Sequence, residues 1–432
     1  MADELSISPD VPNISISKKL AVIAWMMAAT CFFYQYVMRS APSVMMPELS
    51  NALGVSSLGV ASIAGLFYYG YSPFSLVAGA TLDRFGPKVL MPLAVGLMGL
   101  GAILFATGNA DIASGGRLLQ GVGAAFAAVG AMYTAANYFP PSQAATFMGA
   151  TQMFGMAGVS AGQFAVGPMI AGGLVWSSFW IGLGGLSFLL AIPLFFLLPW
   201  QDNSRKHKNW IRTSLQGFKT VFLNPQSILC GVISGLLFIP TTIFDMIWGV
   251  RYLQEAHGME YGSAVMRSAA VPLGWIIGCP LLGFISDRIG RRKPVIICGG
   301  LVLLGCLAWI LYGPTNVLPP FFLALIAGIA SGSAIIPYTV IKEANPAKYS
   351  GTATGVVNFL NFTFSALLGP VFGWLLASVS KGAAQMELSH YQTAFTPLMY
   401  GVIIAMILTF LLKETGWRTN VPTSKDLEEA IA

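Results

Sequence analysis

The sequence predicts an all-α membrane protein with 12 transmembrane helices that form two six-helix pseudo-repeats. Three observations predict this class: a composition too apolar for water, apolar spans of membrane-crossing length, and motifs that recur in the second half of the chain. Hydrophobic residues make up 55% of the 432 residues and charged residues 9%, whereas a soluble domain carries about 25% charged residues. A soluble protein of this composition would expose large apolar patches and aggregate, so lipid is the solvent for most of this chain.

Each half of the chain contains six apolar spans, close in length to the roughly 20 residues with which a helix crosses about 30 Å of hydrocarbon. Because an open strand would leave backbone N–H and C=O groups unpaired in lipid, the spans are predicted to be helices. The first six cover residues 20–46, 57–81, 88–108, 112–138, 144–173 and 176–199, and the second six cover residues 226–253, 262–286, 293–312, 319–341, 350–379 and 392–412.

The spans divide the chain into two bundles and three polar segments. The predicted order is a cytoplasmic tail, a bundle, a cytoplasmic linker, a second bundle and a second cytoplasmic tail, at residues 1–19, 20–199, 200–225, 226–412 and 413–432. With both termini inside, 18 of the 23 Lys and Arg residues face the cytoplasm, as the positive-inside rule requires. No cleavable signal peptide is expected, because residues 1–17 are polar. The sequence therefore predicts a multi-pass protein of the bacterial inner membrane.

Residue content excludes several function classes. The five cysteines lie within apolar spans without a CxxC pair, and the three histidines lie in loops, so neither a disulfide nor a metal site is expected. The basic residues lie in short loops, and no GxxxxGK[ST] phosphate loop is present. No set of nucleophile, base and acid lies within the spans. We therefore expect no cofactor, no nucleic-acid partner and no enzymatic activity.

Two motifs recur at nearly the same offset along the chain. GATLDRFG at residues 79–86 and GFISDRIG at residues 283–290 each follow the second span of their half, with aspartates 204 residues apart. A second echo, a glycine 18 residues before Gly-Pro, recurs in spans 5 and 11 at an offset of 202 residues. Internal repeats of this kind build many transporters, whose substrate binds near the midplane between the halves.

The pattern GxxxDRxGRR between spans 2 and 3, repeated between spans 8 and 9, resembles the hallmark of the major facilitator superfamily. The second copy is complete at residues 283–292, whereas the first has Pro87 and Lys88 in place of two arginines. RLLQG, which begins at Arg117, resembles the helix-4 motif of that superfamily and implies a proton-coupling role for Arg117 and Gln120. An interfacial arginine that snorkels outward is the alternative. The resemblance implies a gradient-driven carrier with a central cavity, in which helices 3, 6, 9 and 12 face lipid.

The loop motif has a direct physical basis. Gly86 and Gly290 permit the positive-φ turn that a short loop needs. Asp83 and Asp287 can accept hydrogen bonds from nearby helix N-termini and from loop arginines. Two interpretations stay open: a latch that holds one conformation and breaks during transport, or a static charge cluster that sets topology. The arginines included in this coupling or gating set are Arg84, Arg288 and Arg291.

Three ionisable residues stand out within the spans, where such residues are costly and mark functional sites. They are Arg39, Arg117 and Asp245, and Gln35 shares a helix face with Arg39, four residues on. Arg39 and Asp245 lie at similar depth in spans 1 and 7 and are predicted to pair. The pair would form an outer gate, an anion site with a proton-accepting acid, or a fixed structural ion pair. The predicted substrate-binding set is completed by Tyr34, Asn358 and Asn361.

The sequence predicts a secondary active transporter of a small solute with a carboxylate or phosphate group, because Arg39 would bind such an anion. Its expected partners are that solute or a chelated ion, a proton or other coupling ion, and membrane lipids, and the protein is expected to act as a monomer. The alternatives are a proton-coupled symporter of an organic acid, peptide or nutrient, and a transporter-like sensor that moves nothing.

A second resemblance concerns the cargo. FYQYVMRSAPSVMMPEL at residues 33–49 and YYGYSPFSLVAG at residues 68–79 are similar to the permeases of magnetosome gene clusters, the MamH type. This resemblance implies iron or an iron complex, moved across the inner membrane or the magnetosome membrane. Because the spans lack histidine and hold one buried acid, a negatively charged chelate bound by Arg39 fits better than a free cation.

Overall fold

The computed structural model describes residues 17–55, 57–200, 210–314, 320–380 and 386–416. A helix lies at each of the 12 predicted spans, which confirms the all-α class. We number these helices α1 to α12. In the first half, α1 is Lys18–Ser40, α2 is Ser57–Phe85, α3 is Pro87–Phe105, α4 is Ala110–Asn137, α5 is Ala144–Phe164 and α6 is Trp176–Leu197. In the second half, α7 begins as Pro225–Ile239, α8 is Ala270–Ile289, α9 is Lys293–Tyr312, α10 begins as Pro320–Ser331, α11 is Ser350–Ser380 and α12 is Leu388–Leu411.

The exposed surface of the helices is suited to lipid. Eleven of the described helices are long and apolar enough to cross a membrane, and α2 is the helix at the remaining predicted span. Helices α3, α6, α9 and α12, which the resemblance places against lipid, each expose large apolar side chains. Examples are Leu93 at 62%, Phe196 at 74%, Leu301 at 55% and Phe410 at 66% exposure. These side chains would be unfavourable in water and are accommodated in hydrocarbon.

Helix α7 does not continue regularly through its span. Pro240 has no N–H with which to donate to the carbonyl four residues earlier, and the chain continues as a wider π-helix at Pro240–Gly249 before a final α-helical piece at Val250–His257. A further short helix, Tyr261–Ser268, precedes α8. Asp245 therefore lies in a π-helical segment, a feature that is frequent at functional sites.

The chain packs into two compact units that exchange segments between the sequence halves. The first unit comprises the described parts of Met1–Tyr138, Val166–Ser227 and Ile341–Phe359, and the second those of Phe139–Ala165, Ile228–Val340 and Leu360–Ala432. The first unit thus contains the start of α11, and the second contains α5. The predicted bundles at residues 20–199 and 226–412 follow the internal repeat and stay a prediction.

Glycines let α8 and α10 approach backbone to backbone within the second unit. A Cβ atom added to Gly278 would collide with the carbonyl oxygen of Ile329, and one added to Gly328 would collide with that of Val271. In lipid, apolar side chains gain little by leaving the solvent, so close backbone packing between small residues drives helix association.

We expect Gly278→Ala to destabilise the protein by about 1–3 kcal/mol, because the added methyl group overfills a backbone contact. Gly305→Ala, on the neighbouring helix α9, is the matched control, since nothing lies within 4 Å of its added Cβ. Thermal unfolding of both purified variants in the same detergent measures the difference. Equal melting temperatures for the two variants would show that the α8–α10 contact is not tight.

Candidate functional site

Arg39 lies near the end of α1 in the first unit and is bound by α2. Its Nε and Nη2 atoms donate hydrogen bonds to the Tyr68 hydroxyl at 3.0 and 2.8 Å. The guanidinium lies 4.7 Å from the centre of the Tyr68 ring and 5.0 Å from that of Tyr36. Aromatic faces attract a cation, so these contacts offset part of the cost of holding a positive charge within a span.

Arg117 lies near the start of α4 and is only 1% exposed. Its Nη1 donates to Gln120 Oε1 at 2.6 Å and to the Met38 carbonyl at 3.1 Å, and its Nη2 donates to the Ala64 carbonyl at 3.3 Å. Since Met38 is on α1 and Ala64 is on α2, the same three helices surround both arginines. This burial argues against the alternative in which Arg117 snorkels to the membrane surface.

The two arginines lie near one aromatic ring. Phe67 is 5.9 Å from the Arg39 guanidinium and 5.1 Å from that of Arg117, and we call Arg39, Phe67, Tyr68, Arg117 and Gln120 the basic cluster. Among the described residues no carboxylate contacts Arg117, and the charge of Arg39 repels it. Two positive charges that lie near the same ring, in apolar surroundings, create a potential that favours an anion.

Gln35 is a further polar residue of α1, and its side-chain amide makes no hydrogen bond with the described residues. It is fully buried at 0% exposure, and within the described part of the chain neither its amide nitrogen nor its amide oxygen has a hydrogen-bond partner. The Gln120 Nε2 atom is in the same situation. Buried amides are normally hydrogen-bonded. Gln35 and Gln120 therefore provide donors and an acceptor in the unit that holds the basic cluster.

The other predicted substrate-binding residues already make hydrogen bonds with neighbouring helices. The Tyr34 hydroxyl donates to the Leu183 carbonyl and accepts from Ser187 on α6. Asn358 donates to Tyr71 at 3.1 Å and to Ser75 at 2.8 Å on α2. In the second unit, Asn361 donates to Tyr338 at 3.1 Å. Their assignment to the substrate site stays a prediction, and the structure shows a packing role for each.

Asp245 belongs to the second unit and is 7% exposed. The Ser268 hydroxyl lies 3.1 Å from Asp245 Oδ1 and donates to it. The carboxylate lines a cavity of about 240 Å³ whose lining residues all belong to the second unit. The predicted pairing of Asp245 with Arg39 would join the two units, and it stays a prediction.

The loop-motif aspartate of the first unit caps a helix from the other half of the sequence. Asp83 accepts hydrogen bonds from the backbone N–H groups of Gly351 and Thr352 at 2.6 and 2.7 Å, and from the Thr352 hydroxyl at 2.7 Å. Those N–H groups belong to the first turn of α11 and have no partner within the helix. The expected helix N-terminal contact is confirmed, and Lys342 lies close enough to Asp83 to interact with its charge.

Asp287 makes the equivalent contact in the second unit. It accepts hydrogen bonds from the backbone N–H and the hydroxyl of Thr146, in the first turn of α5, at 2.8 and 2.7 Å. It also forms a buried ion pair with Arg292 at 2.7 Å. Gly86 and Gly290 have φ values of 67° and 69°, which confirms the predicted positive-φ turns.

The arginine that pairs with Asp287 was not in the predicted gating set. Arg288 and Arg291, which were, are exposed, whereas Arg292 is fully buried. Arg84 of the first copy places its guanidinium 4.9 Å from the centre of the Phe85 ring. The sequence signal for Arg292 was the complete Arg-Arg pair at the end of the second motif. Sequence spacing, however, does not show which of the two arginines points into the protein.

Comparison with known proteins identifies the sequence family. Residues 28–370 match the Major Facilitator Superfamily, which confirms the resemblance seen in the loop motif. The hexuronate transporter of Bacillus subtilis (strain 168) is 24% identical, over 94% of this chain and 99% of that protein. The MFS-type transporter SLC18B1 of Mus musculus is 27% identical over 89% and 86% of the two chains. The probable sulfoacetate transporter SauU of Cupriavidus necator is 23% identical over 80% and 85%. All three are named as transporters, in agreement with the expectation that the chain is not an enzyme.

Solved structures show the same fold. The Major Facilitator Superfamily transporter FucP, in its outward conformation, has a TM-score of 0.72 at 16% identity and covers 91% of this chain and 99% of its own. The proton:xylose symporter XylE has a TM-score of 0.71 at 15% identity and covers 93% and 98%. These likenesses establish the architecture of 12 helices in two repeats, and they carry no information about the solute.

We expect Asp287→Asn to destabilise the protein more than Asp83→Asn. Loss of the Asp287 charge breaks its buried ion pair with Arg292, which costs about 3–5 kcal/mol, whereas loss of a helix cap costs about 0.5–2 kcal/mol. Thermal unfolding of both variants measures the difference, with Asp111→Asn as the control, since Asp111 is exposed. Equal losses for Asp83→Asn and Asp287→Asn would contradict this account.

Proposed function

Because the chain belongs to the Major Facilitator Superfamily, we propose that it carries a small organic anion across the bacterial inner membrane by alternating access. The superfamily supplies the transport mode, a secondary transporter that spans the membrane many times. The anion is our proposal, and the observation that carries it is the basic cluster. Two arginines within the spans are attached to one group of aromatic rings, and one of them, Arg117, is buried without a carboxylate in contact among the described residues.

The chemistry of the basic cluster suits a carboxylate or sulfonate. A guanidinium offers paired N–H donors in the geometry of such an anion, and a buried charge gains most from an opposite charge where water is excluded. The amide groups of Gln35 and Gln120, which have unused donors, could bind hydroxyl or further carboxylate oxygens. Aromatic rings around the arginines limit the space for water and would favour a compact solute.

Names of similar proteins support the same class of solute. The relatives include transporters named for hexuronate and sulfoacetate, and a cis,cis-muconate transport protein of Acinetobacter baylyi is 25% identical over 63% of this chain. These printed solutes are small organic anions. At such identities they indicate the chemical class to test first and leave the individual solute open.

The hydrogen bonds of Asp83 and Asp287 are our candidates for the contacts that change between conformations of the transporter. Asp83 binds the first turn of α11 and Asp287 binds that of α5, so each links the two halves of the sequence. In the proposed mechanism these bonds form in one conformation and break in another, which makes them a latch. A proton or another coupling ion would supply the energy, and Asp245 is the acid within the spans that could carry a proton.

The proposed orientation places both termini in the cytoplasm, because 18 of 23 basic residues then lie inside. We expect a fluorescent protein fused after Ala432 to fluoresce and alkaline phosphatase fused there to be inactive. Phosphatase inserted after Lys381, between predicted spans 11 and 12 and on the opposite side in this orientation, is expected to be active. The reverse pattern would overturn the orientation and leave the fold unaffected.

The central test is uptake into proteoliposomes of glucuronate, sulfoacetate, cis,cis-muconate and gentisate, with glucose as the uncharged counterpart of glucuronate. We expect at least one anion to be transported and glucose to be excluded. Since a hydrogen bond to a charged group is worth about 1.5–3 kcal/mol, Arg39→Gln and Arg117→Gln should each lower kcat/KM for that anion roughly 10- to 100-fold. Arg251→Gln is the matched control, because Arg251 lies in the second unit and pairs with Glu255 at 2.7 Å.

Anion transport that persists in both cluster variants would overturn the role of the basic cluster. Ferric citrate belongs in the panel, because the likeness to magnetosome permeases implies an iron chelate. The relatives described above lend iron no support, and transport of ferric citrate alone would replace the organic anion as the cargo. Binding of an anion without any uptake would favour the sensor.

A further inference from the structure

A cavity lies wholly inside the second unit, apart from the basic cluster. Its volume is about 240 Å³, and it is lined by parts of α7 to α10 together with the chain segments around His257 and Gly313 that follow α7 and α9. At roughly 30 Å³ for each water in the liquid, this is the space of about eight waters. A ligand of roughly nine to twelve non-hydrogen atoms is therefore the size that fits.

One wall of the cavity carries the Asp245 carboxylate. Only its Oδ1 atom has a hydrogen-bond donor among the described residues, the Ser268 hydroxyl at 3.1 Å. A carboxylate that is 93% withdrawn from solvent, as the 7% exposure implies, ordinarily needs an opposite charge or several donors. Gly249 keeps the space beside it open, because a Cβ there would lie 2.8 Å from Ser268 Oγ and 3.2 Å from Asp245 Oδ1.

Arg267 lines the same cavity. It directly precedes Ser268, and consecutive Cα atoms are 3.80 Å apart, so the arginine starts close to the residue that binds Asp245. Within the described part of the chain its side chain has neither a hydrogen bond nor an ion pair. Asp245 and Arg267 thus line one cavity without forming an ion pair with each other.

The remaining walls are mainly apolar, and their polar side chains include Thr241, His257 and Ser331. The Phe244 and Tyr252 ring centres lie 5.2 Å apart. The Tyr252 hydroxyl donates to the Ile310 carbonyl at 2.6 Å and lies 2.9 Å from His257 Nε2. Burial, and then the charge of Arg267, lower the pKa of His257, which favours its uncharged form. Arg267 is the positive group that we assign to the cavity.

We propose that this cavity binds a small zwitterion with an apolar side chain, of the amino-acid class. Its ammonium group would bind the Asp245 carboxylate and face aromatic rings, its carboxylate would bind Arg267, and its apolar part would fill the space between α7, α9 and α10. Carriers of this architecture hold cargo between their halves, so a ligand inside one unit is a modulator. An ammonium group on Asp245 would exclude a proton from the same carboxylate, and the two uses of Asp245 compete.

The test compares three probes that share a phenyl ring and differ in charge, together with a zwitterion that has no ring. Isothermal titration of the full-length protein would use L-phenylalanine as the zwitterion, phenethylamine as the cation alone and 3-phenylpropionate as the anion alone, with 6-aminohexanoate to vary the charge spacing. We expect one of the two zwitterions to bind at least 10-fold more tightly than either singly charged probe. Tighter binding of phenethylamine would overturn the zwitterion in favour of a simple amine, and no heat from any probe would overturn the site.

Variants test the contributions of Asp245 and Arg267 to zwitterion binding one at a time. Asp245→Asn, which keeps the shape of the side chain, and Arg267→Gln should each weaken zwitterion binding at least 10-fold, and Gly249→Ala should weaken it by crowding the carboxylate. Asp111→Asn is the matched acidic control and should bind like the parent. Thermal unfolding without ligand shows whether each variant is folded. Unchanged binding in folded Asp245→Asn or Arg267→Gln would overturn the assignment.

Discussion

Every peptide group that lies in hydrocarbon must find its hydrogen-bond partner inside the protein, and most features of this chain follow from that constraint. It makes each of the apolar spans a helix, and it makes each irregularity in a helix a place where other groups must compensate. The π-helical segment at Pro240–Gly249 is such a place. There the usual ladder cannot continue, since Pro240 has no N–H, and the segment carries the buried acid Asp245. The interrupted hydrogen-bond ladder and the buried acid Asp245 therefore lie in the same π-helical segment.

Helix ends are subject to the same constraint. The first turn of any helix has N–H groups without an internal partner, and α5 and α11 begin where the chain re-enters the packed helices. Asp287 and Asp83 supply the acceptors, from the last turns of α8 and α2, which are more than a hundred residues away in sequence. These bonds satisfy donors that would otherwise be unpaired within the helix. In the proposed mechanism they form in one conformation and break in another.

Charge within the spans is distributed differently in the two units. The first unit holds arginines supported by tyrosine and phenylalanine rings, whereas the second holds a carboxylate beside a cavity. A cation can be partly accommodated by aromatic faces, and a carboxylate needs donors or a counter-charge. This asymmetry underlies the two proposals, an organic anion at the basic cluster of the first unit and a ligand with a positive group at the cavity of the second.

The amino-acid sequence by itself determined the class of protein, the number of spanning helices and most of their bounds to within a few residues, although α1 and α5 end earlier and α8 begins later than predicted. Those properties depend on local composition: about 20 apolar residues suffice to define a spanning helix. It also identified Asp83 and Asp287 as helix-capping residues, Arg117 and Asp245 as buried charges and Arg39 as a half-buried charge within a span, because polar residues are rare in such spans. The turn of the loop motif was also predictable, because a short loop requires a positive φ, which glycine adopts easily.

Only the tertiary structure decided which groups meet. It showed that Arg292, and neither Arg288 nor Arg291, turns inward to Asp287, that Arg39 is bound by Tyr68, and that Tyr34 and Asn358 are already engaged with other helices. It also placed Arg267 and Asp245 at one cavity. Spacing along a helix gives the face on which a side chain lies, whereas its partner depends on the rotation and packing of helices that are distant in sequence, and local composition does not encode that information.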